Sequence, residues 1–126
     1  MFQLLAIAIG GALGSVGRFW VSGTVNGWLG RPFPYGTLTV NVIGSGVMGI
    51  LFIVLAERLT LAPAWRAALL VGLLGGFTTF SSCSMETVRL LEQQRYGAAL
   101  LNIGLNVVLC VTAAGLGVVL ARRWLG

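Results

Sequence analysis

The chain has 126 residues, of which 57 % are apolar and only 9 % charged, whereas a soluble domain carries about 25 % charged side chains. That is too little charge for a water-facing surface, and the length admits four membrane spans of about 20 residues with little left over. The formal charge of +5 arises from eight basic residues, all arginine, against Glu57, Glu86 and Glu92. The arginines stand mostly singly between apolar runs, which excludes a nucleic-acid-binding stripe and marks span ends at the lipid headgroups.

The first span is expected over residues 4–25. Its start, Met1-Phe2-Gln3-Leu4, lacks the positive charge of a secretory signal peptide and reads as the beginning of a helix. It holds one base, Arg18, and no acid, and leads into a Gly/Trp/Pro-rich connection over 26–36. The second span, 38–56, closes at Glu57-Arg58. A short loop with Pro63 and Trp65 leads to the third, 67–91. A polar turn over 92–96 precedes the fourth, 98–121, which ends at Arg122-Arg123. The whole chain, 1–126, is thus expected to be one all-α transmembrane domain.

Four spans put both termini on one side, with Arg58, Arg66, Arg122 and Arg123. Arg31, Arg89 and Arg95 fall on the other side, and Arg18 leans that way. Orientation normally follows an arginine and lysine excess on cytoplasmic loops, and here there is none. The expectation is insertion both ways and antiparallel pairing, a dual-topology dimer with its two-fold axis in the membrane plane. Small residues four apart (Gly10/Gly14, Ser45/Gly49, Gly72/Gly76, Ala113/Gly117) let helices approach closely in lipid. The spacing leaves open whether they meet within one chain or between two.

The third span carries the chemistry. Gly75-Gly76 precedes Phe77-Thr78-Thr79-Phe80-Ser81-Ser82-Cys83-Ser84, with five hydroxyl residues in the seven positions from Thr78. Paired glycines are weak helix formers and predict a third helix broken in mid-membrane, where freed groups need protein or a watery cavity. Asn41 in the second span, and Asn102 and Asn106 on one face of the fourth, must also find partners. Together with the hydroxyls they make a file of hydrogen-bond donors.

The first, second and fourth spans lack the carboxylates on which cation and proton pathways depend. Glu86 alone lies near a span interior, and Arg89 at i+3 is placed to pair with it. Donor amides, hydroxyls, the positive edge of Phe80 and nearby Arg18 suit an anion. With no histidine and no nucleophile–base pair, an enzyme is not expected, and no nucleotide-binding motif appears. Cys83 and Cys110 read as small packing residues; their spacing gives neither a metal site nor a disulfide.

Three motifs resemble the CrcB/Fluc family of fluoride channels: Gly10 to Phe19, ending in Gly17-Arg18-Phe19; Gly36-Thr37-Leu38-Thr39-Val40-Asn41-Val42-Ile43-Gly44; and Gly75 through Glu86. The third is the most specific. The resemblance implies a fluoride-selective passive channel in the bacterial inner membrane, built as an antiparallel homodimer with two pores, through which cytoplasmic fluoride leaves the cell. It implies a fluoride path lined by Asn41 and Phe80, hydroxyls including Thr79 and Ser81, and Asn106, with Arg18 at the vestibule or anchoring. It further implies a structural Na⁺ on the dimer axis, held by the backbone carbonyls of Gly75 and Thr78 and their copies. One position departs: Cys83 stands where the family has a second phenylalanine. The loss of that ring edge opens space for water. Two other readings are a proton-coupled exporter of the small multidrug-resistance type and a non-conducting assembly subunit. The first needs a carboxylate in the first span, and none is there.

Overall fold

The computed structural model describes residues 2–30, 32–58 and 62–125. Met1 and Arg31, both used above, lie outside them, and so does the side chain of Arg58. All regular structure among the described residues is helical, and four helices are long and apolar enough to cross a membrane.

The first helix, Phe2–Leu29, outruns the expected end at 25 because Trp28 and Leu29 extend its apolar run. Gly30 stops it at φ +83°, donating its N–H to the Asn26 carbonyl at 2.8 Å; glycine takes this left-handed cap without strain. The second, Tyr35–Ile53, begins three residues before the expected 38, directly after Pro34 at its N-cap, and continues through wider i→i+5 turns over Val54–Arg58.

The third span begins with Pro63 in its first turn, where proline's missing N–H costs nothing. It runs through Pro63–Arg66, an i→i+5 stretch over Ala67–Leu74, and Gly75–Phe77. Thr78 (φ −89°, ψ 157°) and Thr79 (φ −154°, ψ 119°) are extended. Helix resumes over Phe80–Glu92, capped by the Thr79 hydroxyl, which accepts the Ser82 N–H at 3.2 Å; such a cap contributes about 1 kcal/mol. Gln94, at φ 59°, turns the chain, and the Arg95 N–H bonds the Leu90 carbonyl at 2.9 Å. The fourth helix is Tyr96–Leu125.

The two halves of the third span keep different company. The half before Thr78 packs on the first helix, while Phe80–Glu92 packs on the fourth, which also lies along the second. Small residues make both long contacts, and the alternatives left open by their spacing resolve here within the chain. A Cβ at Gly14 would collide with the Leu73 carbonyl and stand 2.9 Å from the Phe77 nitrogen; one at Gly76 would stand 2.8 Å from the Gly11 carbonyl. A Cβ at Gly49 would strike the Ala114 carbonyl, and one at Gly117 would strike that of Gly46.

The large apolar side chains mostly face outward, as lipid requires, and the centre is partly polar: the two large side chains with the least exposure are Val40 and Asn102. At the end of the second and fourth helices Arg122 pairs with Glu57 at 3.5 Å, both well exposed. Exposed pairs contribute about 0–1 kcal/mol, so Arg122→Gln should leave the thermal unfolding midpoint nearly unchanged.

Candidate functional site

The extended residues Thr78 and Thr79 are where the chain would otherwise lose backbone hydrogen bonds, and side chains from two other spans replace them. Asn41, buried in the second helix, accepts the Thr79 N–H on Oδ1 at 2.7 Å and donates Nδ2 to the Thr79 carbonyl at 3.0 Å. Both polar groups of one peptide unit's residue are thus held by one amide. Gly44, three residues on, supplies the room: a Cβ there would overlap the Thr78 side chain. Arg18 of the first helix donates Nε to the Gly76 carbonyl at 3.2 Å. That places a cation at the negative end of the helical half that stops at Phe77.

The hydroxyls divide into two groups. Thr78 donates to the Leu74 carbonyl at 3.1 Å, Ser84 to Phe80 at 2.9 Å and Thr87 to Cys83 at 2.8 Å, each bonded back to its own turn. Thr79, by contrast, lies 3.2 Å from the Ser81 hydroxyl and 3.3 Å from that of Ser82. Asn41 also donates to Asn106 Oδ1 at 3.0 Å, so the second, third and fourth spans meet at one buried polar point. Phe80 turns its ring outward at 78 % exposure. With Cys83, Ser84, Thr87, Asn106 and two apolar neighbours it lines a cavity of about 280 Å³.

One pairing differs from expectation. Among the described residues Glu86 makes no ion pair with Arg89; its Oε2 instead accepts the Thr37 hydroxyl at 2.8 Å. Arg89 is exposed at the helix surface while Thr37 is buried against the carboxylate, and a nearby buried donor outcompetes an i+3 partner worth a few tenths of a kcal/mol. The other oxygen, Oε1, is buried without a partner. Glu86 borders a cavity of about 270 Å³ with Asn26, Arg89, Gln93 and Arg95. Arg95 also donates to the Pro32 carbonyl, tying the third turn to the first connection.

Thr37 and Thr87 are not among the expected site residues, whereas Asn102 is expected to find a partner and finds it in Thr87. Thr37 stands four residues before Asn41, hence on the same helical face, and that spacing was the available signal. Among the described residues there is no cluster of three His, Cys, Asp or Glu side chains fit to hold a metal. Among the described residues no hydrogen bond outside the helices ends on the Gly75 or Thr78 carbonyls, while Gly76 and Thr79 each take a side-chain donor.

A family model described as CrcB-like protein, Camphor Resistance (CrcB), matches residues 5–118. A protein of Methylococcus capsulatus named fluoride-specific ion channel FluC is 54 % identical over 121 residues, 96 % of this chain and 53 % of its own. Proteins of the same name from Magnetococcus marinus and Coxiella burnetii are each 48 % identical, over 95 % and 96 % of this chain and 98 % of their own. The chain therefore spans about half the length of the Methylococcus relative and nearly all of the other two. With four apolar helices and bacterial relatives of this kind, it is an integral protein of the bacterial plasma membrane. The chain belongs to the CrcB family.

Proposed function

We propose that the chain forms a passive, fluoride-selective channel through which cytoplasmic fluoride leaves the cell. The observation that carries this reading is the Asn41 amide gripping both polar groups of Thr79 beside Phe80 and the Asn106 amide. Moving an ion of carboxylate size into low dielectric costs on the order of 20 kcal/mol before relaxation, and fluoride is smaller and more strongly hydrated. A pore must therefore replace its water with several donors at once, because a single hydrogen bond to a charged group returns only about 1.5–3 kcal/mol. The Thr79 and Ser81 hydroxyls provide donors and Phe80 adds a positive ring edge; Asn41 and Asn106, whose N–H groups are held by Thr79, Asn106 and Asn102, would donate to the ion by releasing those partners. Arg18 acts as the anchor of the third span's first half and lends positive potential.

The working unit is an antiparallel dimer of dual topology, with the third span broken at mid-membrane. In its favour, Phe80, Ser81 and Ser84 are exposed on one chain, and hydroxyls in a membrane span need a cover other than lipid. The flat arginine distribution supports insertion both ways. The carbonyls of Gly75 and Thr78, oxygens beside the extended residues, suit a hard cation that takes oxygen ligands, as a structural Na⁺ does. Two oxygens from one chain are too few, so a second copy must supply the rest. Bound there, the ion would neutralise the carbonyl dipoles at the break.

Vesicles loaded with fluoride and holding the purified protein should empty rapidly to a fluoride electrode while chloride stays inside. Vesicles that hold their fluoride would overturn the channel, and equal chloride release would overturn its selectivity. Cys83→Phe should fill part of the cavity beside Phe80 and raise the fluoride-to-chloride ratio by about tenfold, the effect of roughly 1.4 kcal/mol. An unchanged ratio would remove Cys83 from the path.

A further inference from the structure

Where the three spans meet, the N–H groups of Asn41 and Asn106 are already engaged by protein acceptors. Donors without such partners gather elsewhere, around the cavity of about 270 Å³ bordered by Asn26, Glu86, Arg89, Gln93 and Arg95. Among the described residues the Arg89 and Gln93 side chains make no hydrogen bond or ion pair. Asn26 uses only Oδ1, which accepts the Gly36 N–H at 2.9 Å, and its Nδ2 is not engaged.

The position of this cavity makes it a mouth. Thr37 and Asn41 stand one turn apart on the second helix and reach the third span at Glu86 and at Thr79. The helical stretch from Thr79 to Glu86 covers about 10 Å. Beyond Glu86 the cavity is closed in by the two connections, at Pro32–Pro34 and at Gln93 and Arg95, and Arg89, Gln93 and Arg95 are exposed there. Two guanidinium groups thus face one carboxylate. That carboxylate is itself occupied: Glu86 Oε2 accepts the Thr37 hydroxyl and Oε1 is buried. A concave site with an excess of positive charge raises the local concentration of anions.

We infer that this cavity is a resting site for a still-hydrated fluoride ion, held by Arg89, Arg95 and the Asn26 amide before it sheds water at Thr79. The cavity has room for the ion together with several waters, each occupying about 30 Å³. The inference rests on the channel reading.

The test compares initial fluoride efflux from vesicles, per folded protein, at about 10 mM and about 1 M ionic strength, set with gluconate salts on both sides. A unit charge about 7 Å from a monovalent anion in a water-like medium changes the local anion concentration about threefold. The screening length falls from about 30 Å to about 3 Å between the two conditions. Arg89→Gln should therefore pass fluoride at about one third of the unsubstituted rate at low ionic strength and at nearly the same rate at high. Asn26→Asp keeps the acceptor for Gly36 but exchanges the N–H donors for a negative charge, and should show the same salt-dependent loss. Arg89→Lys, which returns the charge, should rescue the low-salt flux. Damage to the fold would lower efflux equally in both conditions. Variant-to-unsubstituted ratios that do not change with ionic strength, or a lysine that fails to rescue, would overturn the resting site. Neither result touches the channel reading, which fails only if the unsubstituted protein passes no fluoride.

Discussion

Asn41→Leu is expected to lower fluoride efflux from vesicles about a hundredfold or more. The substitution removes three hydrogen bonds at once: the acceptor for the Thr79 N–H, the donor to the Thr79 carbonyl and the donor to Asn106. Two of those groups are backbone, fixed in place and partly buried, and each orphaned one costs about 1–3 kcal/mol. An approaching anion meets a methyl-lined surface in place of an amide. Two orphaned backbone groups at about 1.5 kcal/mol each amount to roughly two decades in rate. The measurement is initial fluoride efflux normalised to folded protein; a loss of less than threefold would separate Asn41 from the ion path.

The second large effect is on the fold. Gly14→Val should abolish recovery of well-folded protein in detergent. The added Cβ would press on the Leu73 carbonyl and the Phe77 nitrogen, both backbone atoms of the facing span. Overpacking a core that can adjust costs about 1–3 kcal/mol, and here no side chain is available to move aside, so the cost exceeds that range. The spans would separate, and with them the register that carries Gly76 to Arg18. Gly23→Ala is the contrast, since nothing stands within 4 Å of its added Cβ. It should be neutral or stabilise by about 0.5–1 kcal/mol through helix propensity. Thermal unfolding followed by circular dichroism distinguishes the two.

Much of this architecture is legible in the residues. The four apolar runs appear because lipid leaves little choice about composition, and Gly75-Gly76 with the hydroxyls after them marks the segment where Thr78 and Thr79 lie extended. The ends were less legible: Gly30 and Pro34 set the limits of the first two helices, and a hydropathy pattern does not register a cap. Partner identity was least legible. Gly10 and Gly72 announce a close approach, but not that each faces the other's span. Glu86 had Arg89 in sequence reach and took Thr37, 49 positions away. Spacing along one helix reveals local neighbours, and the buried donor that wins comes from another span. The Asn102 link to Thr87 belongs to the same class.

Since the third span's halves lie mainly against different helices, that span is two rods joined end to end at Thr78 and Thr79, with the second helix touching both. Bending or shear between those helices must be absorbed at that joint, because helical rods transmit displacement where two extended residues yield. A displacement of the first helix against the fourth would therefore reach the Asn41–Thr79 bonds without altering a single side chain.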